Sequence, residues 1–311
     1  MRILIVGAGG IGGYFGGRLQ EAGADVTFLL RSKKRKVLQK SGLSLESPLG
    51  NWQGNIKTLS VGDPAEPFDI VLLSCKSYDL DSALDAVSGF IGSKTIVLPL
   101  LNGLRHLERI AQRQPSINLW GGLVHIGVRA GDYGKITHFN KINDFTLGPL
   151  DLKVKPCSQI NDLISTFGKS PVRVVYSRHI YHDLWKKFVF LGTLAGMTCL
   201  MRADIGTILQ TTHGKILILQ LLEECKAIAE QEGHHIQDDV ILQYVAQLTD
   251  KTSTASASML HDIACQNPTE GNHILGDLLA RATRHDVQTP LLKICYTHLD
   301  VYEHQRRRVL C

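Results

Sequence analysis

A chain of 311 residues with 44% hydrophobic and 20% charged side chains has the make-up of a globular protein and enough length for two domains, each with its own core. The net charge of +5 is mild; it suits anionic small ligands and does not call for nucleic acid. Seven cysteines (75, 157, 199, 225, 265, 295 and 311) are odd in number and lack any C-x-x-C spacing, which argues against a disulfide framework or a metal site and for a reducing, cytoplasmic compartment.

The first element decides most of the reading. Ile3-Leu4-Ile5-Val6 is an apolar strand that breaks at Gly7 and passes through Gly9 and Gly12 into a helical pattern. G-x-G-x-x-G at a strand-to-helix junction is a dinucleotide fingerprint: Gly7 allows the tight turn, Gly9 lets the backbone approach a pyrophosphate, and Gly12 brings the helix close to the strand. The helix N-terminus adds unpaired N–H groups and a positive dipole end. Gly7, Ala8, Gly9, Gly10, Ile11 and Gly12 are therefore the candidate cofactor loop.

The second strand, residues 25–30, chooses the dinucleotide. A site for NAD places Asp or Glu at the end of this strand to hold the ribose 2′-hydroxyl. Here Asp25 sits at the opposite end, and the strand runs out into Arg31, followed by Lys33, Lys34 and Arg35. A guanidinium can clamp a 2′-phosphate bidentately, and no acid competes for it. The expectation is NADPH, with Arg31 as the main contact and Lys33 or Lys34 assisting. The plainer alternative is a solvated basic helix start.

Further along, residues 42–47 and 54–59 read as strands around a turn at 48–51, and 68–74 as a buried parallel strand leading into Ser74-Cys75-Lys76-Ser77. An amphipathic helix at 80–90, a strand at 95–100 ending at Asn102-Gly103 and a helix at 104–113 follow. Residues 118–150 switch to hairpin spacing around Gly131-Asp132-Tyr133-Gly134. This order predicts an α/β fold, a Rossmann-type doubly wound sheet with an antiparallel addition. Lys76 and Asn102 both follow C-terminal ends of parallel strands, where ligand contacts collect. From residue 179 the period becomes helical, with helices at 184–199, 215–232, 238–248, 270–285 and 289–304. The expected domains are 1–176, a dinucleotide-binding unit, and 177–311, a helical substrate and catalytic unit, with the ligand cleft between them. The N-terminal residues read as a strand and not as a leader. The apolar stretch 188–200 is interrupted by Gly192, Thr193 and Gly196, so no membrane span or membrane partner is expected.

In the helical half, Leu184, Lys187, Phe188 and Leu191 share one helix face, which turns Lys187 but not Lys186 toward apolar neighbours. A lysine so placed has a lowered pKa and can act as a general acid near neutrality; a snorkelling lysine at a core edge is the plainer reading. Ser258 lies in Ser256-Ala257-Ser258-Met259-Leu260-His261-Asp262, and Glu270 follows Asn267-Pro268-Thr269, where it reads as a first-turn helix carboxylate.

Taken together, the fingerprint at 7–12, Arg31 at the strand end, Cys75-Lys76, Asn102-Gly103, Leu184-Trp185-Lys186-Lys187, Ser258-Met259-Leu260 with Asp262, and Thr269-Glu270 resemble, in order and spacing, the ketopantoate reductases (2-dehydropantoate 2-reductases) over nearly the whole chain. The resemblance implies an N-terminal NADPH domain, a helical C-terminal domain and hydride transfer to a 2-oxo acid, giving a 2-hydroxy acid. It implies that Lys187 is the proton donor and that Glu270 lies near that lysine and the cofactor ribose. It further implies that Asn102 contacts cofactor and substrate, Lys76 sits beside the cofactor, and Ser258 binds the substrate carboxylate. The chain departs from the family where better-known members carry substrate-binding asparagines: Leu191, Ala195 and Ile205 stand there. Fold, cofactor and reaction class survive this departure, with Thr193 as one group able to replace a lost contact.

The reading is an NADPH-dependent oxidoreductase that reduces a 2-oxo acid, with 2-dehydropantoate to pantoate, a step of pantothenate biosynthesis, as the family's reaction. A relative acting on a more apolar 2-oxo acid is the alternative. A non-catalytic NADPH-binding regulator is a third, disfavoured by the presence of Lys187, Ser258 and Glu270. The partner expected is the small-molecule 2-oxo acid, and a homodimer is compatible with the sequence.

Overall fold

In the computed structural model, which describes residues 1–309, β1 (Arg2–Val6) is buried on both faces along Ile3 to Val6, as a parallel strand covered by helices must be. Ile3 and Ile5 enter one hydrophobic core with Phe15, Phe28 and Phe145, while Leu4 and Val6 enter another with Val71, Leu73 and Leu84. The strand alternation thus builds a core on each side of the sheet. α1 (Gly10–Glu21) and β2 (Asp25–Leu29) complete the first βαβ unit, with Arg2 opposite Asp25 and Val6 opposite Leu29 in parallel register. The chain continues through α2 (Ser32–Ser41), β3 (Leu43–Glu46), β4 (Trp52–Gly54), β5 (Lys57–Leu59), β6 (Ile70–Leu73), α3 (Leu80–Val87), β7 (Ile96–Pro99), α4 (Arg105–Arg113), β8 (Asn118–Ala130), β9 (Lys135–Pro149), α5 (Ser158–Phe167) and β10 (Arg173–Tyr176).

The sheet order is β4-β3-β9-β8-β7-β6-β1-β2-β5, with β10 beside β9. From β5 to the start of β8 the pairings are parallel, and β8 and β9 then form the antiparallel addition. This is the doubly wound arrangement, with its crevice at the C-terminal ends of the parallel strands. Residues 54–59, expected as one strand, are two. β4 pairs antiparallel with β3 at one sheet edge, whereas β5 pairs in parallel with β2 at the other, so Asn55 and Ile56 carry the chain across. α5 and β10 were not foreseen; Ile160, Leu163 and Phe167 nevertheless share helical spacing and are buried.

The remaining elements are helical: α6 (Ile180–Met201), α7 (Ile205–Leu209), α8 (Gly214–Gln231), α9 (Asp238–Leu248), α10 (Ser258–Ala264), α11 (Gly271–Arg284) and α12 (Pro290–Val309). The chain divides into two compact units, one comprising Met1–Leu101 and His106–Asp183, the other Asn102–Arg105 and the residues from Leu184 onward. The division falls later than 176 because the first turn of α6 belongs to the first unit, where Ile180 packs against Gly121 and Gly148 of the β8–β9 hairpin.

Gly192 and Gly196 do not interrupt α6. The helix runs for 22 residues and is long and apolar enough to meet the length and polarity of a membrane span, contrary to expectation. Its glycines serve packing instead: Gly192 faces Leu278 and Cys225, and Gly196 faces Leu221 and Cys295, so most of its apolar stretch is buried as a core helix. The six described cysteines are free, and burial pushes the thiols of Cys199, Cys225 and Cys295 up to about 12; Cys311 lies outside the described residues.

One buried carboxylate joins these helices. Glu224 of α8 accepts the backbone N–H groups of Leu291 (3.1 Å) and Leu292 (2.8 Å), capping the start of α12. Removing it leaves two buried donors unpaired, at about 1–3 kcal/mol each. Glu224→Ala should therefore lower the unfolding free energy in urea by about 2–6 kcal/mol, with Glu224→Gln losing less because an acceptor oxygen remains. A Glu224→Ala protein as stable as the wild type would show that these N–H groups find other partners.

Candidate active site

In the first unit, the turn after β1 is held open. Gly7 has φ +91°, a conformation side chains resist, and its N–H donates to the Leu29 carbonyl at 3.1 Å. At Gly12 a Cβ would strike the Ser74 hydroxyl and the Gly7 carbonyl, so only glycine permits α1 to approach the strands this closely. Ser74 locks the junction by donating to the Val6 carbonyl at 2.8 Å. A cavity of about 380 Å³ opens beside this turn, lined by Gly7, Ala8, Gly9, Arg31, Lys76 and Asp79 among others. At Gly9 a Cβ would meet nothing within 4 Å, and no side chain caps the start of α1. The surface is bare, concave and rich in outward-available N–H groups, which is what a pyrophosphate needs. Gly10, Ile11 and Gly12 form the first turn of α1 and do not line the cavity.

Arg31 lines the cavity with Lys34, whereas Lys33 is exposed and outside it, and Arg35 turns away to Ser60 and Asp63. Asp25 pairs with Lys57 at 2.7 Å. The expectation that no acid competes for Arg31 is corrected: its Nη2 lies 2.6 Å from Asp79 Oδ1 and 3.4 Å from the Ser82 hydroxyl. Asp79 comes from the turn after β6, 48 residues downstream, beyond the reach of local sequence reading.

In the second unit, Lys187 projects from α6 and donates from Nζ to Asn102 Oδ1 at 3.0 Å. Leu184 and Phe188, on the same face, are buried. Desolvation lowers the Lys187 pKa to about 8, while the nearby Glu270 carboxylate acts to raise it. Glu270 is itself buried and stands immediately before α11, as its N-cap rather than in its first turn. Lys187, Asn102 and Glu270 are thus brought together. The group can stabilise developing negative charge and deliver a proton near neutral pH.

Two supports were missed. The His273 ring Nε2 lies 2.9 Å from the Asn102 carbonyl and must donate to it, which fixes the backbone of the loop that presents the amide. His273 lies three residues after Glu270 on a helix, a spacing that could have drawn attention to it. Glu303 of α12 accepts both the Thr269 N–H (2.6 Å) and its hydroxyl (2.8 Å), anchoring the residue before Glu270. Despite burial, the Glu303 carboxyl is held below its usual range by these donors and by Arg306.

Ser258 is exposed and opens α10. The loop before it is tied to α6 and α7: the Ala257 N–H reaches the Thr198 hydroxyl at 3.3 Å, and the Ile205 N–H donates to the Ala255 carbonyl at 3.1 Å. Leu191 is half-buried, while Ala195 and Ile205 are fully buried. Thr193 is also fully buried and donates to the Val189 carbonyl of its own helix at 2.9 Å, so it cannot stand in for a missing amide.

Comparison with known proteins agrees with this architecture. Residues 3–151 match the family model described as ketopantoate reductase PanE/ApbA, and residues 179–303 match the model of its C-terminal domain. The chain is 33% identical to the uncharacterized oxidoreductase YkpB of Bacillus subtilis (strain 168), over 98% of this chain and all of that protein. It is 28% identical to a 2-dehydropantoate 2-reductase of Nostoc sp. (strain PCC 7120 / SAG 25.82 / UTEX 2576), covering 97% of this chain and 95% of the other. Its fold also matches that of D-mandelate dehydrogenase, solved with NADH and anilino(oxo)acetate, with a TM-score of 0.87 at 20% identity over 99% of this chain and 100% of the other. With both family models matched across most of its length, this chain belongs to the ketopantoate reductase family of oxidoreductases.

Proposed function

We propose that this protein reduces a 2-oxo acid to the 2-hydroxy acid with NADPH, with 2-dehydropantoate as the substrate that its family suggests. The observation that carries the reading is the Lys187–Asn102–Glu270 group, an ammonium of pKa near 8 on an amide and beside a buried carboxylate. The bare glycine turn and the cavity with Arg31 and Lys34 would hold the dinucleotide, which supplies the hydride when bound. As negative charge grows on the substrate's carbonyl oxygen, the Lys187 ammonium stabilises it and passes its proton to that oxygen, forming the O–H bond of the product. Asn102 holds Lys187 in place and offers its amide N–H₂ to substrate or cofactor. Ser258 supplies a hydroxyl donor for the carboxylate, Lys76 a cation beside the cofactor, and Glu270 keeps Lys187 charged.

A second reading, a more apolar 2-oxo acid, is favoured by one observation. Leu191, Ala195 and Ile205 offer no hydrogen bond, and the Thr193 hydroxyl is spent on Val189. A protein of this fold is known with NADH and anilino(oxo)acetate, so an aromatic oxo acid is compatible with the architecture.

Loss of a general acid costs about 10²–10⁴ in rate, so Lys187→Ala should lose kcat in that range with NADPH binding intact, while Lys186→Ala stays near wild type. The reactive form is protonated; the wild-type reduction rate should therefore fall as pH rises through about 8. A rate undiminished at pH 9.5, or equal losses in the two variants, would mean that the proton comes from elsewhere. For the substrate, a site that reads ketopantoate's hydroxyl should reject the deoxy analogue by about 10⁴ or more, whereas an apolar site discriminates by about 10–200-fold. The expected ratio of kcat/KM for ketopantoate over 2-oxoisovalerate is below about 10². A measured ratio of 10⁴ would show that other groups still read the hydroxyl.

A further inference from the structure

Arg31 is the side chain that sequence assigns to a 2′-phosphate, yet in the folded chain it is ion-paired. Its guanidinium meets Asp79 at 2.6 Å, at the strand end where the adenosine ribose of a dinucleotide belongs. Asp79 is held there by its own turn: its N–H donates to the Lys76 carbonyl at 2.9 Å, and the Ser82 hydroxyl donates to its carbonyl at 2.9 Å. Neighbouring acids are engaged elsewhere, Asp81 with Arg109 and Arg113, and Asp85 with Arg113. The Arg31 side chain is 73% exposed, so it can turn from the carboxylate to a ligand.

We propose that Asp79 sets the cofactor selectivity of this site, narrowing the margin by which a 2′-phosphorylated dinucleotide is preferred over its unphosphorylated counterpart. The inference rests on the dinucleotide reading of the cavity. A 2′-phosphate brings further negative charge to a guanidinium that already has a carboxylate partner, so the two anions share one cation at close range. An exposed ion pair is weak and yields to a phosphate, which can take the guanidinium fork, but the carboxylate left beside the phosphate repels it. With an unphosphorylated ribose this repulsion is absent, and the carboxylate becomes an acceptor for the 2′-hydroxyl, the role an acid plays in sites for NAD. Here the acid comes from the turn after β6 instead of the end of β2. Asp79 therefore costs affinity for NADPH and none for NADH.

The test is direct binding by calorimetry to the full chain, for wild type, Asp79→Asn, Asp79→Ser and Arg31→Ala. The probes are NADPH, NADH and the adenosine fragments 2′,5′-ADP and 5′-AMP. Asp79→Asn and Asp79→Ser should tighten NADPH and 2′,5′-ADP by about three- to tenfold and leave NADH and 5′-AMP unchanged or weaker. Arg31→Ala should abolish the preference for the 2′-phosphorylated member of each pair. Wild-type protein that binds the probes while both Asp79 variants leave the ratios within about twofold, or lower them, would overturn the role of Asp79 alone. Wild-type protein that binds none of the four would overturn the dinucleotide reading and this inference with it. Asp79 is partly exposed and both replacements are small and polar, so melting curves matching wild type are expected and tie any change in affinity to the site.

Discussion

An ammonium among apolar side chains tends to lose its proton, and the second unit is organised around keeping one on Lys187. Burial lowers its pKa to about 8, and the Glu270 carboxylate resists a further fall. That balance requires Glu270 to be buried near the amine, which is why the residue preceding α11 is pinned from α12 by Glu303 through the Thr269 N–H and hydroxyl. It also requires an acceptor at the amine, and the Asn102 amide is fixed by the His273 ring on its own backbone carbonyl. α6, α11 and the loop at 102–105 are thus bound into one electrostatic unit, with α12 as its brace. A misplaced Glu270 would leave burial unopposed and lower the lysine's pKa further, whereas a lysine in water keeps the ordinary, higher value and is a weaker acid near neutrality.

The first unit handles the opposite charge by different means. Its glycine turn offers backbone N–H groups and open space, with no side chain competing for the ligand. The close approach at Gly12, secured by Ser74, aims the start of α1 at that space. Basic side chains line the same cavity, where Arg31 is paired with Asp79. Backbone dipoles bind an anion whatever lies beyond it, whereas side-chain charge discriminates among its bearers. The glycine turn is therefore a feature shared by dinucleotide sites in general, whereas the charges around Arg31 come from side chains.

The proposed substrate preference draws on a third kind of constraint. The glycines of α6 let α8, α11 and α12 pack tightly on it through Leu221, Cys225, Leu278 and Cys295, and this packing buries Ala195 and Thr193 completely. Once Thr193 has turned its hydroxyl back to the Val189 carbonyl, that stretch of α6 presents no polar side-chain group to a ligand. The same close packing that stabilises the core thereby leaves only apolar side chains and an internally bonded hydroxyl along this stretch, the feature from which the proposal of a less hydroxylated substrate is argued.

The sequence by itself determined what is local. The strand run into Gly7, Gly9 and Gly12 is legible because turn geometry and close approach are demands on single residues. The helical stripe that puts Lys187 with Leu184 and Phe188 follows from the 3.6-residue period. Even α9 is bounded as its periodicity indicates, at Asp238 and Leu248. Tertiary structure decided everything that depends on which partner comes from afar. Asp79 reaches Arg31 across 48 residues and His273 reaches Asn102 across 171; the spacing of His273 from Glu270 could have marked the residue, but no local pattern names either partner. The edge taken by β5, the capping of α12 by Glu224 and the fate of the Thr193 hydroxyl are of the same kind. Hydrophobic period says which face of an element is buried; only the packed chain says against what, and the selectivity of a charged site lies in that pairing.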